Sequence, residues 1–171
     1  MDGDTERHEG ELRARLHHRE GTPERRRVQA VLSRVDKLER DGVLADCECE
    51  TWPDEVPLDR DSGPVEIFRR YQSWADREGV SIQPPFRVAS VESSILHVSD
   101  EMLRTPSLCL GVLSDDELEA VYPHGRGDTI VTVGEGLRRL TSLGWGSDGG
   151  SEETESGRIG GPRQEQSVNP V

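Results

Sequence analysis

The spacing of apolar residues changes repeatedly along this chain, and every segment with helical spacing is separated from the next by a segment with the spacing of a strand. Helices that alternate with strands in this way favour helices packed on a sheet. The hydrophobic fraction of 32% supports one modest core. We therefore predict an α+β fold over residues 11–143, in which three helices pack on a mostly antiparallel sheet in the order β-α-β-α-β-β-β-α.

The first half of the chain predicts a β-α-β unit. Residues 11–18 alternate polar and apolar positions, as a half-buried strand does. Thr22 is expected to cap a helix that has Pro23 at its first position and Gly42 as its stop. The second strand is predicted over residues 46–52, where the apolar and polar residues alternate again.

A second helix is predicted from Ser62 to about Glu78, with Gly79 as its stop. Its apolar half carries Phe68, Tyr71 and Trp74. Pro57 to Gly63 is expected to be a loop. Residues 86–91 are expected to form an edge strand, because Pro84 and Pro85 interrupt the extended segment that precedes them.

A hairpin is predicted over residues 108–122, with its turn at Ser114-Asp115-Asp116. Its first strand, residues 108–113, is apolar on both faces and is therefore expected to be central in the sheet. Thr132 and Glu135 have the spacing of a capping box, which predicts a third helix that Gly134 and Gly136 weaken.

The two ends of the chain are poor in apolar residues. Residues 1–10 and 144–171 are expected to be disordered, because such segments cannot bury enough surface to offset the entropy of ordering. No apolar run suits a signal peptide or the roughly 20 residues of a membrane span, so we expect a soluble cytoplasmic protein without a membrane partner.

The charged residues are unusual in kind as well as in number. The chain has 20 Arg but only one Lys, Lys37, and its net charge is −13. Such an acidic, lysine-poor surface is suited to concentrated salt, where carboxylates hold water and K+ and ordinary ion pairs are screened. The composition predicts a salt-accumulating cell and excludes no class of reaction.

The first helix is the segment in which basic residues outnumber acidic ones. Between Thr22 and Gly42 it has six basic residues and four acidic ones. Arg26, Lys37 and Arg40 lie opposite its apolar stripe, where they could touch phosphates. The alternative is a solvated face with pairs four residues apart, such as Asp36 with Arg40, and high salt would weaken phosphate binding.

Metal and catalytic sites are weakly indicated. His17-His18 and Cys47-x-Cys49 could converge on a zinc or copper ion if their strands are neighbours, but their spacing is not a metal signature, so no metal or cofactor is expected. The thiol of Cys109 is expected to be buried and inert.

The remaining motifs do not indicate an enzyme. Arg126-Gly127-Asp128 is interpreted as a turn, and Gly125-x-Gly127 lacks the third glycine of a nucleotide loop. His97 and His124 are expected to lie on solvated loops, so no catalytic residue is predicted.

Four features together resemble a known family. They are the opening strand, the Arg-rich helix that ends in Leu38-Glu39-Arg40-Asp41-Gly42, the strand of residues 46–52, and the block from Ser107 through Gly127-Asp128-Thr129 to Leu140. In this order they are similar to a family of small haloarchaeal proteins labelled as helix-turn-helix-domain proteins. The resemblance covers about residues 11–143 and implies a halophilic archaeon and a regulatory role at DNA, but it carries over no site residue.

The predicted elements depart from that label, because a helix-turn-helix needs two helices joined by a turn of three or four residues. Our leading hypothesis is a non-enzymatic regulatory module that binds DNA through the first helix, and a homodimer is compatible with it. The alternative is a small-ligand or metal-responsive sensor with a pocket between Phe68, Tyr71, Trp74 and the sheet, although these rings could equally be core.

Overall fold

A four-stranded sheet divides the structure into two hydrophobic cores. The computed structural model describes residues 11–93 and 98–144. Its elements are β1 (Leu12–Arg19), α1 (Thr22–Arg40), β2 (Asp46–Trp52), β3 (Glu55–Pro57), α2 (Gly63–Glu78), β4 (Arg87–Ser93), β5 (Val98–Arg104), β6 (Leu108–Ser114), β7 (Glu117–Tyr122), β8 (His124–Arg126), β9 (Thr129–Val131) and α3 (Val133–Gly144).

The dividing sheet has the strand order β2-β1-β6-β7. β1 and β2 run parallel, joined by α1, whereas β1 with β6 and β6 with β7 are antiparallel. In β6 every residue from Leu108 to Leu113 is buried. The predicted central position of this strand is confirmed, because apolar residues on both of its faces require a layer on each side.

The first core lies between one face of this sheet and the helices α1 and α3. Its buried side chains are Ala14, Leu16, Val28, Val35, Leu38, Leu44, Leu108, Leu110, Val112, Tyr122, Val131, Val133, Leu137 and Leu140. Val28, Val35 and Leu38 recur at helical spacing, which explains why α1 buries one stripe and leaves its opposite face in solvent.

The second core lies on the other face, under α2 and a three-stranded sheet of order β3-β5-β4. Phe68, Tyr71 and Trp74 of α2 are buried there. Phe86 packs against the rings of Trp52, Phe68 and Tyr71, with centroid distances of 5.5 to 6.3 Å. Five aromatic side chains therefore lie in this second core, whereas Tyr122 belongs to the first.

The predicted helices are confirmed within about one residue at their starts. The prediction that Thr22 caps α1 is wrong, because Gly21 holds the cap position and the helix begins at Thr22, one residue before the predicted start. α2 ends at Glu78, and Gly79 adopts a left-handed backbone with φ of 67°, which glycine adopts at little cost. The capping box of α3 is present, because Thr132 Oγ1 accepts a hydrogen bond from the backbone N–H of Glu135 while the Glu135 carboxylate accepts one from the N–H of Thr132.

The α+β class is confirmed, but the predicted order omitted four strands: β3, β5, β8 and β9. Three of them have only three residues each, too few for a periodic pattern, and β5 carries Asp100 and Glu101 in its middle. The predicted loop from Pro57 therefore follows a short strand, and the predicted edge strand is β4, paired only with β5. The expectations for residues 1–10 and 145–171 lie outside the described residues.

Candidate nucleic-acid interface

The outer face of α1 presents the three cations that the helical pattern singled out. Arg26, Lys37 and Arg40 are all exposed. They lie opposite the stripe of Val28, Val35 and Leu38 that is buried in the first core. Because the sheet fixes this stripe, the helix can turn no other face to solvent, and the three cations point away from the protein.

The local partners of these cations differ. Lys37 Nζ donates to the carboxylate of Asp41, four residues later. Arg40 Nε donates to the backbone carbonyl of Asp36 at 3.2 Å, so the expected Asp36 to Arg40 contact exists but uses the carbonyl rather than the carboxylate. In the described part of the chain Arg26 forms neither an ion pair nor a side-chain hydrogen bond. Exposed pairs of this kind contribute little and can exchange for a phosphate.

α3 enlarges this basic surface. It packs beside α1 over the same sheet face, and the Arg34 guanidinium of α1 lies beside Gly134 at the start of α3. Arg138 and Arg139 of α3 are exposed. α1 has six basic and three acidic residues, and α3 has two and one. The layer formed by these two helices is therefore positively balanced in a chain whose net charge is −13.

The helices are not arranged as a helix-turn-helix within residues 11–93 and 98–144. β2 and β3 separate α1 from α2, and six strands separate α2 from α3. α1 and α3 are neighbours in space only because both cover the same sheet face. Any contact of this layer with a nucleic acid must therefore differ from the usual insertion of the second helix of a motif.

The histidine and cysteine pairs do not converge on a metal. β1 and β2 are neighbours, but the register pairs Leu16 with Cys49 and His17 with Glu50. His17 therefore projects from the face opposite to the cysteines, and only His18 shares theirs. No group of three or more possible metal ligands occurs among the described residues. Burial raises the pKa of the Cys47 thiol to about 12.

His17 is held by other contacts. Its ring stacks on Trp52 with a centroid distance of 4.8 Å, and its Nε2 lies 3.3 Å from Oε2 of Glu50. The side chain is only 3% exposed, and its Nδ1 has no hydrogen-bond partner within the described structure. Burial lowers the pKa of His17, while the Glu50 carboxylate acts in the opposite direction.

The prediction that His124 lies on solvated surface is wrong. His124 is 3% exposed on β8, and its ring packs on Trp74 and Tyr122. Its Nδ1 lies 2.6 Å from the carbonyl oxygen of Val121, and burial lowers its pKa. The signal that sequence reasoning missed is Tyr122 two residues earlier, whose ring centroid lies 5.4 Å from that of His124. His97 lies outside the described residues.

The other residues singled out in the sequence have structural roles. Cys109 is fully buried, and burial raises the pKa of its thiol. Gly127, with φ of 59°, and Asp128 form the turn between β8 and β9, as expected for Arg126-Gly127-Asp128. Phe68, Tyr71 and Trp74 fill the second core, so the pocket expected beside them is occupied by packed side chains.

A groove that the sequence did not predict lies elsewhere. It occupies about 950 Å³ at the end of the dividing sheet where β6 begins and β7 ends, between the helical layer and the ends of β4 and β5. Residues from α1, β4, β5, β9 and α3 line it. Sequence reasoning could not find it, because these segments are distant in the chain and share no motif.

Comparisons with known proteins give one match. A family model described as a helix-turn-helix domain matches residues 6–143, well over half of the chain. Searches of curated proteins and of solved structures found no match. In the described part of the chain no helix is both long and apolar enough to cross a bilayer.

Proposed function

Because the chain belongs to this helix-turn-helix domain family, we propose that it is a regulatory protein that binds DNA without acting as an enzyme. The observation that carries the proposal is the positively balanced layer of α1 and α3 on an otherwise acidic chain. Sequence-independent affinity for DNA comes mainly from cations that neutralise phosphates. This layer is where the protein can supply them.

Arg26, Lys37 and Arg40 are the proposed phosphate-binding residues. They are exposed on one side of a helix of 19 residues, which is about 28 Å long at about 1.5 Å per residue. A helix of this length can follow several phosphates along one groove edge. Three neutralised phosphates predict a slope of about −2.7 for the logarithm of affinity against the logarithm of salt concentration, so binding should be strongest in dilute salt.

The test is the pair of substitutions Arg26→Glu with Arg40→Glu. We expect this variant to lose retention on a labelled DNA duplex in dilute salt, because two attractive charges become repulsive. The matched control is Arg60→Glu with Arg69→Glu, which makes the same charge change at exposed positions on the α2 side of the molecule. The control should retain binding.

Two outcomes would contradict the proposal. If the wild-type protein is not retained on DNA even in dilute salt, it is not a DNA-binding protein. If the control and the α1 variant weaken binding equally, net charge rather than the α1 surface is responsible. Circular dichroism of both variants checks that the fold is intact.

We further propose that the protein works in the salt-rich cytoplasm of a halophilic archaeon. The support is the excess of 34 acidic over 21 basic residues, together with the near absence of lysine. K+ and water would then be the ordinary partners of this surface. In such salt a few arginines supply little affinity, so DNA binding there would need a second copy of the chain or additional contacts.

We also propose that residues 11–143 form one domain. β6 contributes Leu110 to the first core and Cys109 to the second, so both cores share one strand. A ligand-sensing role remains the second candidate function. The observation that favours it is the groove at the end of the dividing sheet, rather than the aromatic face of α2.

A further inference from the structure

The groove at the end of the dividing sheet has largely apolar walls. Val31 of α1, Leu108 of β6 and Ile130 of β9 contribute to them, together with Pro84, Pro85 and Pro123. Its volume of about 950 Å³ lies in the range of small-molecule sites. Ile130 is 40% exposed, which is high for a large apolar side chain and leaves it available to a ligand.

The charged residues of the groove are mainly positive. Arg19, Arg27, Arg87 and Arg104 line it, and Asp54 is the one carboxylate that does so among the described residues. This balance is opposite in sign to the net charge of the chain, −13. Thr132, which caps α3, and the first residues of α3, Val133 and Gly134, also line the groove.

Two of the four arginines form ion pairs with carboxylates of the protein itself. Arg19 Nη1 lies 2.6 Å from Oδ1 of Asp54, and Arg19 also donates to the backbone carbonyl of Thr105. Arg104 pairs with Glu55 at 2.7 Å. These pairs hold both side chains in place and neutralise them.

The other two arginines are available. Arg27 and Arg87 are exposed, and neither forms an ion pair or a side-chain hydrogen bond within the residues that the structure describes. Arg27 belongs to the helical layer and Arg87 to the second sheet, and both line the groove. A guanidinium is suited to bidentate binding of a carboxylate or a phosphate.

We propose that this groove binds a small amphipathic organic anion. Its carboxylate or phosphate would bind to Arg27 and Arg87, and its apolar portion would pack on Val31, Leu108 and Ile130. The walls favour this occupant over a DNA backbone, because a duplex presents charged phosphates on a convex surface and offers nothing apolar to such walls. The proposal does not depend on DNA binding by α1.

The experiment is calorimetric titration of the full chain with octanoate and with octyl phosphate in about 0.1 M KCl, where screening is moderate. Octylammonium serves as a probe of equal chain length and opposite charge. We expect saturable binding of at least one of the two anions and no saturable binding of the cation. The variant Arg27→Gln with Arg87→Gln should weaken anion binding at least about tenfold, because it removes charge-assisted hydrogen bonds.

The matched control is Arg25→Gln with Arg60→Gln, which removes two exposed arginines that do not line the groove. It should bind the anions as the wild-type protein does. A second variant, Ile130→Asp, should also weaken binding, because it places a negative charge in the apolar wall.

The proposal is overturned if the wild-type protein binds neither anion, or if it binds octylammonium equally well. It is also overturned if the Arg27 and Arg87 variant binds like the control. Loss of DNA binding in that variant, with no binding of either anion by the wild-type protein, would assign the groove to DNA instead. Thermal melts of all variants show whether each one is folded.

Discussion

Gly134 and Gly136 both interrupt the sequence pattern of α3, yet their surroundings differ. A Cβ on Gly136 would lie 2.6 Å from Cε2 and 2.7 Å from Cγ of Tyr122, whose ring is buried. A Cβ on Gly134 would meet its nearest neighbour, Thr132 Oγ1, at an ordinary 3.8 Å. Gly136 therefore permits a close approach of helix and sheet, while Gly134 only weakens the helix.

This contrast predicts opposite effects of the same substitution. Gly136→Ala should destabilise the fold by about 1–3 kcal/mol, because the buried ring of Tyr122 must move. Gly134→Ala should stabilise it by about 0.5 kcal/mol, because alanine loses less conformational entropy in a helix. Urea unfolding of both variants measures the two free energies, and a Gly136→Ala protein as stable as the wild type would contradict the packing described.

The burial of His17 beside Glu50 predicts that the free energy of unfolding depends on pH. Burial keeps the pKa of His17 below its ordinary value of 6.5, so the unfolded chain takes up a proton first as the pH falls. The free energy of unfolding therefore decreases below about pH 6.5 and is fully restored above it. Glu50→Gln removes the opposing carboxylate, lowers the pKa of His17 further and should make this decrease larger.

Thermal melts between about pH 7.5 and pH 5.5 test this effect. The matched control is Asp46→Asn, which removes an exposed carboxylate at the far end of the same strand. The melting temperature of the Glu50→Gln protein should fall more on acidification than that of the control. Equal falls in the two variants would mean that His17 does not titrate in this range.

The candidate site could be predicted from the sequence only in part. The exposure of Arg26, Lys37 and Arg40 follows from helical periodicity, which is a local property. Burial of His124 depends on how β7 and β8 meet under α2 and α3, and that is a tertiary property. The groove could not be predicted at all, because its lining residues, such as Arg27 and Arg87, belong to different layers that only the tertiary fold places around it.

Among the elements, the hairpin of β6 and β7 has a turn that its residues fit poorly. Asp115 and Asp116 both have positive φ, 49° and 65°. Two such residues are typical of a two-residue hairpin turn for which Asn-Gly is preferred. Replacement of Asp115 by Asn together with Asp116 by Gly should stabilise the fold by about 0.5–1 kcal/mol.

The turn variant should keep the contact that Arg70 makes with the turn, because Arg70 donates to the backbone carbonyl of Asp116 rather than to its side chain. Urea unfolding measures the gain. The substitution Asp115→Ser with Asp116→Ser is a control that removes the same two charges without introducing glycine. An equal gain in that control would assign the effect to charge removal instead of backbone conformation.

The elements that could be predicted have strong local signals. α1 and α2 carry a proline near their first residue, and α2 has a left-handed glycine at its end. β6 is continuously apolar. The strands that were not predicted have no such local signal. The short strands β3, β8 and β9 are recognisable only by the strands they pair with, and β5 is recognisable only by its pairing with β4 and β3.

At the scale of the whole molecule, the balance of charges predicts stabilisation by salt. The six ion pairs that Arg or Lys forms among the described residues each include an exposed partner, and such pairs contribute about 0–1 kcal/mol each. Screening these pairs lowers the free energy of unfolding only slightly. Screening the repulsion that comes with a net charge of −13 raises the free energy of unfolding by more, and concentrated salt also strengthens apolar burial.

We therefore expect the melting temperature of the full chain to rise by at least about 5 °C between dilute and molar KCl. The same series on residues 1–143 should show a similar rise, because the segment removed carries only five acidic and two basic residues. A melting temperature that is flat or falls with KCl would refute the proposed adaptation to salt.

The place of β6 between β1 and β7 also determines when the protein can fold. Leu110 pairs with Leu16, which precedes it by about 94 residues. A ribosome that adds about 5–20 residues per second needs about 5–20 s to make this stretch. Throughout that delay the nascent β1, α1 and β2 lack the strand that completes their sheet, and the apolar stripe of α1 has little to cover it. Synthesis of β6 thus sets the earliest moment at which either core can close.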